Sequence, residues 1–122
     1  MESAPGSVSV VVVEDETDLR ELLVFALEMA KFQVRAAASM TEARALLQGQ
    51  RAPDVLVADF SLPDGTGADL VSMCGEARPR VCILLSGHDA RDIAADGFDL
   101  VLTKPVTPET LVDEIRARFL AS

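Results

Sequence analysis

The sequence predicts an α/β domain with a doubly wound parallel sheet of five strands, in the order 2-1-3-4-5, covered by five helices. Two observations predict this fold class. Short aliphatic runs alternate with segments of helical periodicity along the chain, and most of the runs are apolar throughout, as strands buried on both faces are. The 122 residues are enough for one such domain. We expect it to occupy residues 8–120, after a flexible leader or linker at residues 1–7.

The strands are predicted from five short runs, four of them rich in valine, isoleucine or leucine. Pro53 precedes the third run, and Pro63 and Gly65 follow it, as turn residues commonly bound strands of this length. Four of the runs end abruptly at a polar or charged residue. The predicted strands are 8–13, 32–36, 55–58, 81–85 and 100–103.

Residues with helical spacing lie between the strands, and N-cap signals mark where three helices begin. The first helix is predicted to be capped by Thr17 and to turn Leu22 towards the sheet together with its other aliphatic residues. Ser39 and Glu42 have the spacing of a capping box at the start of the second helix. Thr107 precedes a proline at the first position of the last helix. The other two helices are predicted at 67–76 and 90–95.

The charge and composition argue against several classes of partner. The chain carries 11 basic and 20 acidic residues, a formal net charge of −9, so it would repel nucleic acid rather than bind it directly. No apolar run reaches the roughly 18 residues that span a bilayer, and the start lacks a signal-peptide pattern, so no membrane association is expected. Cys74 and Cys82 match no metal-ligand spacing and are expected to be buried, reduced thiols of a cytoplasmic protein.

Functional side chains follow four of the predicted strands. Glu14 and Asp15 come after the first, Asp59 ends the third, Ser86 follows the fourth and Lys104 the fifth. In the order 2-1-3-4-5 the first and third strands are neighbours, so the three carboxylates would share one crevice at the carboxyl edge of the sheet. Close carboxylates repel by about 4 kcal/mol per pair at an effective dielectric near 20, so they need a cation. Oxygen ligands without histidine or cysteine favour Mg²⁺.

A nucleophilic carboxylate, a Mg²⁺ site, an ammonium and a hydroxyl together indicate phosphoryl transfer. The ordered set Glu14-Asp15, Asp59, Ser86 and Lys104-Pro105, each at a strand end, resembles the receiver domain of two-component response regulators. The resemblance covers roughly residues 8–119 and implies a flavodoxin-like fold. The chain is also similar to receivers attached to hybrid sensor kinases, because only 104 − 86 = 18 positions separate the serine from the lysine.

The resemblance implies that Asp59 is the phosphoacceptor, taking a phosphoryl group from a sensor histidine kinase or a histidine phosphotransfer protein. Asp15, Asp59 and the backbone carbonyl of Ser61 would bind Mg²⁺ directly. Glu14 would act mainly through a metal-bound water. These residues, with the lysine at the end of the fifth strand, would form the phosphorylation-dependent site of a signalling protein.

The remaining implied roles concern the response to phosphorylation. Lys104 would pair with the phosphoryl oxygens, Ser86 would move to hydrogen-bond one of them, and the Lys104–Pro105 peptide bond would be cis. Val101 stands at the switch position where the family usually has an aromatic residue, so signalling through an aromatic side chain is not expected. The domain would assist its own phosphorylation and dephosphorylation without being a dedicated turnover enzyme. We expect a monomer that changes its contact surface for a downstream protein, which the sequence does not identify.

Two alternatives belong to other functional classes. The first is a receiver-like interaction module that works without phosphorylation. The second is a phosphatase of the haloacid dehalogenase type, which needs a second aspartate two residues after the nucleophile, where this chain has Ser61. A flavodoxin-like cofactor binder would need a glycine-rich phosphate loop after the first strand, and the acidic Glu14 and Asp15 would repel a phosphate there.

Overall fold

The aliphatic runs form one parallel sheet with helices on both faces in the computed structural model, which describes residues 8–48, 52–74, 78–87 and 98–120. The strands are β1 (Ser9–Val13), β2 (Gln33–Ala37), β3 (Val55–Asp59), β4 (Ser61–Leu62), β5 (Gly65–Thr66), β6 (Val81–Ser86) and β7 (Leu100–Thr103). The helices are α1 (Thr17–Met29), α2 (Met40–Leu47), α3 (Gly67–Cys74) and α4 (Pro108–Leu120).

The five-stranded sheet has the order β2-β1-β3-β6-β7, and all four of its strand pairs are parallel. Counted along the chain, its strands lie in the order 2-1-3-4-5, which confirms the predicted topology. β4 and β5 form a separate antiparallel hairpin directly after β3, which was not predicted from the sequence. The hairpin leads straight into α3.

The core consists of two apolar layers, one on each face of the sheet. In β1, Val10 and Val12 face the layer beneath α1 and α4, whereas Val11 and Val13 face the layer beneath α2 and α3. β3 and β6 alternate in the same way and are buried along their whole length. Because these central strands are covered on both sides, their sequences are apolar at almost every position. The site residues lie where these strands end.

The predicted caps of α2 and α4 are present. Ser39 Oγ accepts a hydrogen bond from the Glu42 backbone N–H at 3.1 Å. The Glu42 carboxylate accepts from the N–H of Ala38 at 2.8 Å, one residue earlier than in a standard capping box. Thr107 Oγ1 accepts from the N–H of Thr110 at 3.2 Å at the start of α4. Local side-chain hydrogen bonds therefore determine where both helices begin.

Two predictions for α1 are wrong. Thr17 is the first helical residue rather than the cap, and Glu16 occupies the N-cap position without a side-chain capping bond. Leu22 is 50% exposed, whereas Leu23 and Leu27 are fully buried. Aliphatic residues occur on more than one side of this helix, so the periodicity alone could not predict which side would face the sheet. The packing of α1 against α4 and β2 decides which side is buried.

Two sequence predictions lie outside the described residues: the leader at 1–7 and the short helix at 90–95. Within the described ranges, no helix combines the length and hydropathy needed to cross a bilayer.

Candidate functional site

The strand register brings the ends of β1, β3, β6 and β7 to one edge of the sheet. Val13 pairs with Ala58, so Glu14 and Asp59 follow at the same level of neighbouring strands. Ser86 pairs with Thr103 at the ends of β6 and β7. Lys104 comes next, and its N–H donates to the carbonyl of Ser86 at 2.6 Å. Parallel pairing therefore assembles the site from residues distant in sequence.

Glu14, Asp15 and Asp59 form an acidic cluster in which each residue has a carboxylate oxygen within 4.8 Å of the others. Glu14 is 0% exposed and Asp59 6% exposed, whereas Asp15 is exposed to solvent. At 4.8 Å two carboxylates repel by about 3 kcal/mol at an effective dielectric near 20. The cluster consequently attracts positive charge.

Lys104 supplies positive charge to the cluster. Its Nζ lies 3.0 Å from Glu14 Oε1 and 3.3 Å from Asp59 Oδ2. Partial burial lowers the pKa of the ammonium, but the contacts with Glu14 and Asp59 outweigh that effect, so the pKa of Lys104 is raised above its ordinary value. The lysine is therefore a permanent cation between the two buried carboxylates.

Burial dominates the ionisation of Glu14. Desolvation raises the pKa of its carboxyl above the ordinary 4.5, and the negative charge of Asp59 acts in the same direction. The hydrogen bond from the Glu16 N–H to Oε2, at 3.1 Å, and the Lys104 ammonium oppose the rise. Within the described part of the chain, Oε1 makes no hydrogen bond of good geometry. Its negative charge is therefore compensated by the ion pair with Lys104. This buried oxygen has capacity for a further partner.

The donor chemistry of the cluster fits a hard divalent cation. Three carboxylates with one solvent-exposed member, and no histidine or cysteine in the group, suit Mg²⁺, which prefers oxygen ligands and retains waters. The under-bonded Oε1 of Glu14 is consistent with a water or cation in the crevice. Ser61 is two residues beyond Asp59, in β4.

Ser86, Val101 and Pro105 complete the set of predicted site residues. Ser86 is 1% exposed and ends β6, one position beyond the residue paired with Asp59. Val101 lies in β7, half-buried and paired with Leu84, so it stands two residues before the end of the strand. The Lys104–Pro105 peptide bond is cis, the isomer that the resemblance implies.

Sequence reasoning missed two side chains that support the site. Arg20 Nη1 donates to the carbonyl of Glu14 at 2.9 Å, so α1 holds the loop that carries Glu14 and Asp15. Asp64, which lies between the turn residues Pro63 and Gly65, accepts three hydrogen bonds from Met40 and Thr41 at the start of α2. Neither contact has a local sequence signal, because each depends on how a helix packs beside a loop.

This chain belongs to the family of response regulator receiver domains, whose family model matches residues 10–116. The fold and the family that the sequence predicted are therefore both confirmed.

Similarity to individual proteins agrees with this assignment. The response regulator protein PilR of Pseudomonas aeruginosa is 39% identical over 102 residues, which cover 78% of this chain and 22% of PilR. An uncharacterised 14.6 kDa protein of Leptolyngbya boryana is 32% identical over 95% of this chain and 93% of its own length. The structure of the chemotaxis response regulator CheY4 of Vibrio cholerae superposes with a TM-score of 0.81 at 26% identity, covering 90% and 97% of the two chains. The match to PilR therefore spans about a fifth of that protein.

Proposed function

We propose that this chain is a phosphorylation-activated signalling switch in which Asp59 accepts a phosphoryl group from the histidine of a sensor kinase or phosphotransfer protein. The observation that carries the proposal is the position of Lys104, whose ammonium lies 3.3 Å from Asp59 and 3.0 Å from Glu14. A nucleophilic carboxylate, a second carboxylate and a fixed cation are assembled at the carboxyl edge of the sheet. Membership of the receiver family supports this function.

The transfer forms one bond and breaks one. A carboxylate oxygen of Asp59 attacks phosphorus, and the phosphorus–nitrogen bond of the phosphohistidine breaks, leaving its electron pair on the imidazole nitrogen. The phosphoryl group brings a charge of roughly −1.5 to −2 to the site. Lys104 compensates part of that charge. Ser86, which is buried at the end of β6, donates its hydroxyl to a phosphoryl oxygen after a local movement.

Mg²⁺ is the proposed cofactor. Asp15, Asp59 and the backbone carbonyl of Ser61 would hold it, and Glu14 would contribute through a metal-bound water. The acidic cluster and the under-bonded Oε1 of Glu14 support this assignment. When bound, Mg²⁺ neutralises charge on the transferring phosphoryl group.

The surface beside the site favours a protein as donor. Leu22, Phe25 and Met29 are 50%, 62% and 66% exposed along one side of α1. A groove of about 530 Å³ joins Leu22 to Lys104 and Pro105. Exposed apolar side chains in such a row are typical of protein contact surfaces, and this row begins at the groove that Lys104 lines.

The proposed output is a change in contact surface, in the loops after Asp59 and Ser86, that a downstream protein recognises. The chain acts as a monomer and promotes only its own phosphorylation and dephosphorylation. We assign it to the cytoplasm, because Cys82 and Cys74 are free thiols, as expected in a reducing compartment.

Intact-mass measurement after incubation with acetyl phosphate or phosphoramidate, with Mg²⁺ or with EDTA, tests the proposal. The natural chain is expected to gain one phosphoryl group only in the presence of Mg²⁺. Asp59→Asn should gain none, because it lacks the nucleophilic carboxylate. Asp113→Asn is the matched control, since Asp113 is an exposed aspartate of α4 and should behave as the natural chain does.

An adduct that persists in Asp59→Asn would contradict the assignment of the acceptor, and an adduct formed equally in EDTA would contradict the assignment of the cofactor. If neither phosphoryl donor gives any adduct, a phosphorylation-independent interaction module becomes the better description of this chain.

A further inference from the structure

The tip of the β4–β5 hairpin is bound to the first turn of α2. Asp64 Oδ1 accepts from the N–H of Met40 at 2.8 Å. Asp64 Oδ2 accepts from the N–H of Thr41 at 3.0 Å and from Thr41 Oγ1 at 2.6 Å. These hydrogen bonds, led by that of the Thr41 hydroxyl, lower the pKa of Asp64 below its ordinary value. One carboxylate thus joins the hairpin to α2 through residues that are 23 and 24 positions away from it in sequence.

The hairpin and the helix also pack closely against each other. A side chain at Gly65 would collide with Sδ of Met40, so the absence of a Cβ at this position allows the approach. Leu62, on the other strand of the hairpin, is 9% exposed and belongs to the core layer beneath α2 and α3. The hydrogen bonds of Asp64 are exposed to solvent and lie beside this packed contact between the hairpin and the helix.

The hairpin needs such anchors because it is short. β4 and β5 have two residues each, and an isolated two-stranded hairpin is at best marginally stable in water. On its N-terminal side it is held by the hydrogen bond from the Phe60 N–H to the carbonyl of Leu85, at 2.8 Å. Asp64 fixes the opposite end. The direction of the backbone between these two points, which includes Ser61, depends on both anchors.

We propose that Asp64 is a positioning residue for the Mg²⁺ site: by fastening the hairpin tip to α2, it holds the backbone carbonyl of Ser61 in the direction needed to bind the cation. This inference rests on the proposed function, in which Ser61 supplies that carbonyl. Residues that orient metal ligands typically change metal affinity by about 10- to 100-fold when mutated. Asp64 acts through three residues of backbone, so we expect a smaller effect, of about 3- to 10-fold.

The test compares Asp64→Ala with Glu42→Ala by isothermal titration calorimetry with Mg²⁺ and by thermal unfolding followed by circular dichroism. Both substitutions remove a carboxylate acceptor at the start of α2, but Glu42 accepts from the Ala38 N–H beside its own helix, whereas Asp64 reaches α2 from the hairpin. Both variants should melt at a lower temperature. Only Asp64→Ala should raise the Kd for Mg²⁺, by about 3- to 10-fold.

A second comparison separates positioning from a general loss of stability. Thr41→Val removes the hydroxyl bond to Asp64 and leaves the two backbone bonds, so it should raise the Kd for Mg²⁺ by less than Asp64→Ala does. Thr41→Ser keeps a hydroxyl and should restore the natural affinity. Phosphorylation by acetyl phosphate should reach the natural rate in Asp64→Ala at saturating Mg²⁺, with a higher half-saturating concentration.

Equal Mg²⁺ affinity in Asp64→Ala and the natural chain would overturn the inference and leave the proposed function intact. Equal losses of affinity in Asp64→Ala and Glu42→Ala would also overturn it, because destabilisation of α2 would then explain both. If the natural chain binds no Mg²⁺, the inference and the proposed cofactor fail together.

Discussion

Replacing Lys104 with methionine would remove the cation from between two buried carboxylates. Methionine keeps much of the length and apolar character of the lysine side chain, so the substitution isolates the charge. Nζ of Lys104 lies 3.0 Å from Glu14 and 3.3 Å from Asp59. We expect the variant to be substantially less stable at pH 7 in the absence of divalent cations, because Glu14 would remain buried and would lose the ammonium that compensates its charge.

The magnitude follows from the two distances. At 3.0 and 3.3 Å and an effective dielectric near 20, each attraction is about 5 kcal/mol before desolvation. Breaking a buried pair by removing one partner costs about 3–5 kcal/mol. The lysine side chain is 24% exposed, so part of its charge is solvated and its own desolvation is relieved on removal. We therefore expect a loss of about 2–4 kcal/mol in the free energy of unfolding.

The pH dependence has a definite sign. The pKa of Glu14 is already raised above 4.5 in the folded protein, and loss of Lys104 raises it further. A carboxyl with a raised folded pKa stabilises the fold most below its unfolded pKa, and that stability is lost as the pH rises through the folded value. The deficit of Lys104→Met should therefore be smaller at pH 5 than at pH 7.

Urea unfolding followed by far-ultraviolet circular dichroism measures the effect, since the chain has no tryptophan or tyrosine. A double-mutant cycle with Glu14→Gln should give a coupling energy of at least about 1 kcal/mol. Lys31→Met is the matched control, because Lys31 is the chain's only other lysine and is exposed; it should change stability by less than about 0.5 kcal/mol. A loss in Lys104→Met as small as this control, or a loss that does not shrink at pH 5, would refute the reasoning.

Two further predictions concern α1 and α4. Leu23→Ala should cost about 2–5 kcal/mol of unfolding free energy because Leu23 is fully buried. Leu22→Ala should cost less than about 1 kcal/mol because the Leu22 side chain is 50% exposed. Similar losses for the two variants in urea unfolding would contradict the assigned orientation of α1. Thr107→Ala should cost about 1 kcal/mol of unfolding free energy by removing the cap of α4. Thr17→Ala should cost less than about 0.5 kcal/mol because Thr17 is not a cap. A larger drop in melting temperature for Thr17→Ala than for Thr107→Ala would contradict both assignments.

Much of the candidate site could be predicted because its chemistry lies at strand ends. Val13, Ala58 and Leu85 close three apolar runs, and the residues that follow or end those strands are polar. Parallel strands in a known order bring such residues to one edge whatever the helices do. An ion pair between Lys104 and the carboxylates could be predicted from the sequence. Its distances could not, because only the packed structure decides that Nζ of Lys104 lies nearer to Glu14 than to Asp59.

The sequence located the central strands, because the runs of β1, β3 and β6 are apolar at almost every position, as strands covered on both faces are. It also determined the starts of α2 and α4, where Ser39 and Thr107 bond to backbone groups three residues away. The side of α1 that meets the sheet, and the distant groups that Arg20 and Asp64 bind, depend on tertiary packing. Those contacts join residues whose separation in space depends on helix packing, and no local preference of the chain encodes that separation.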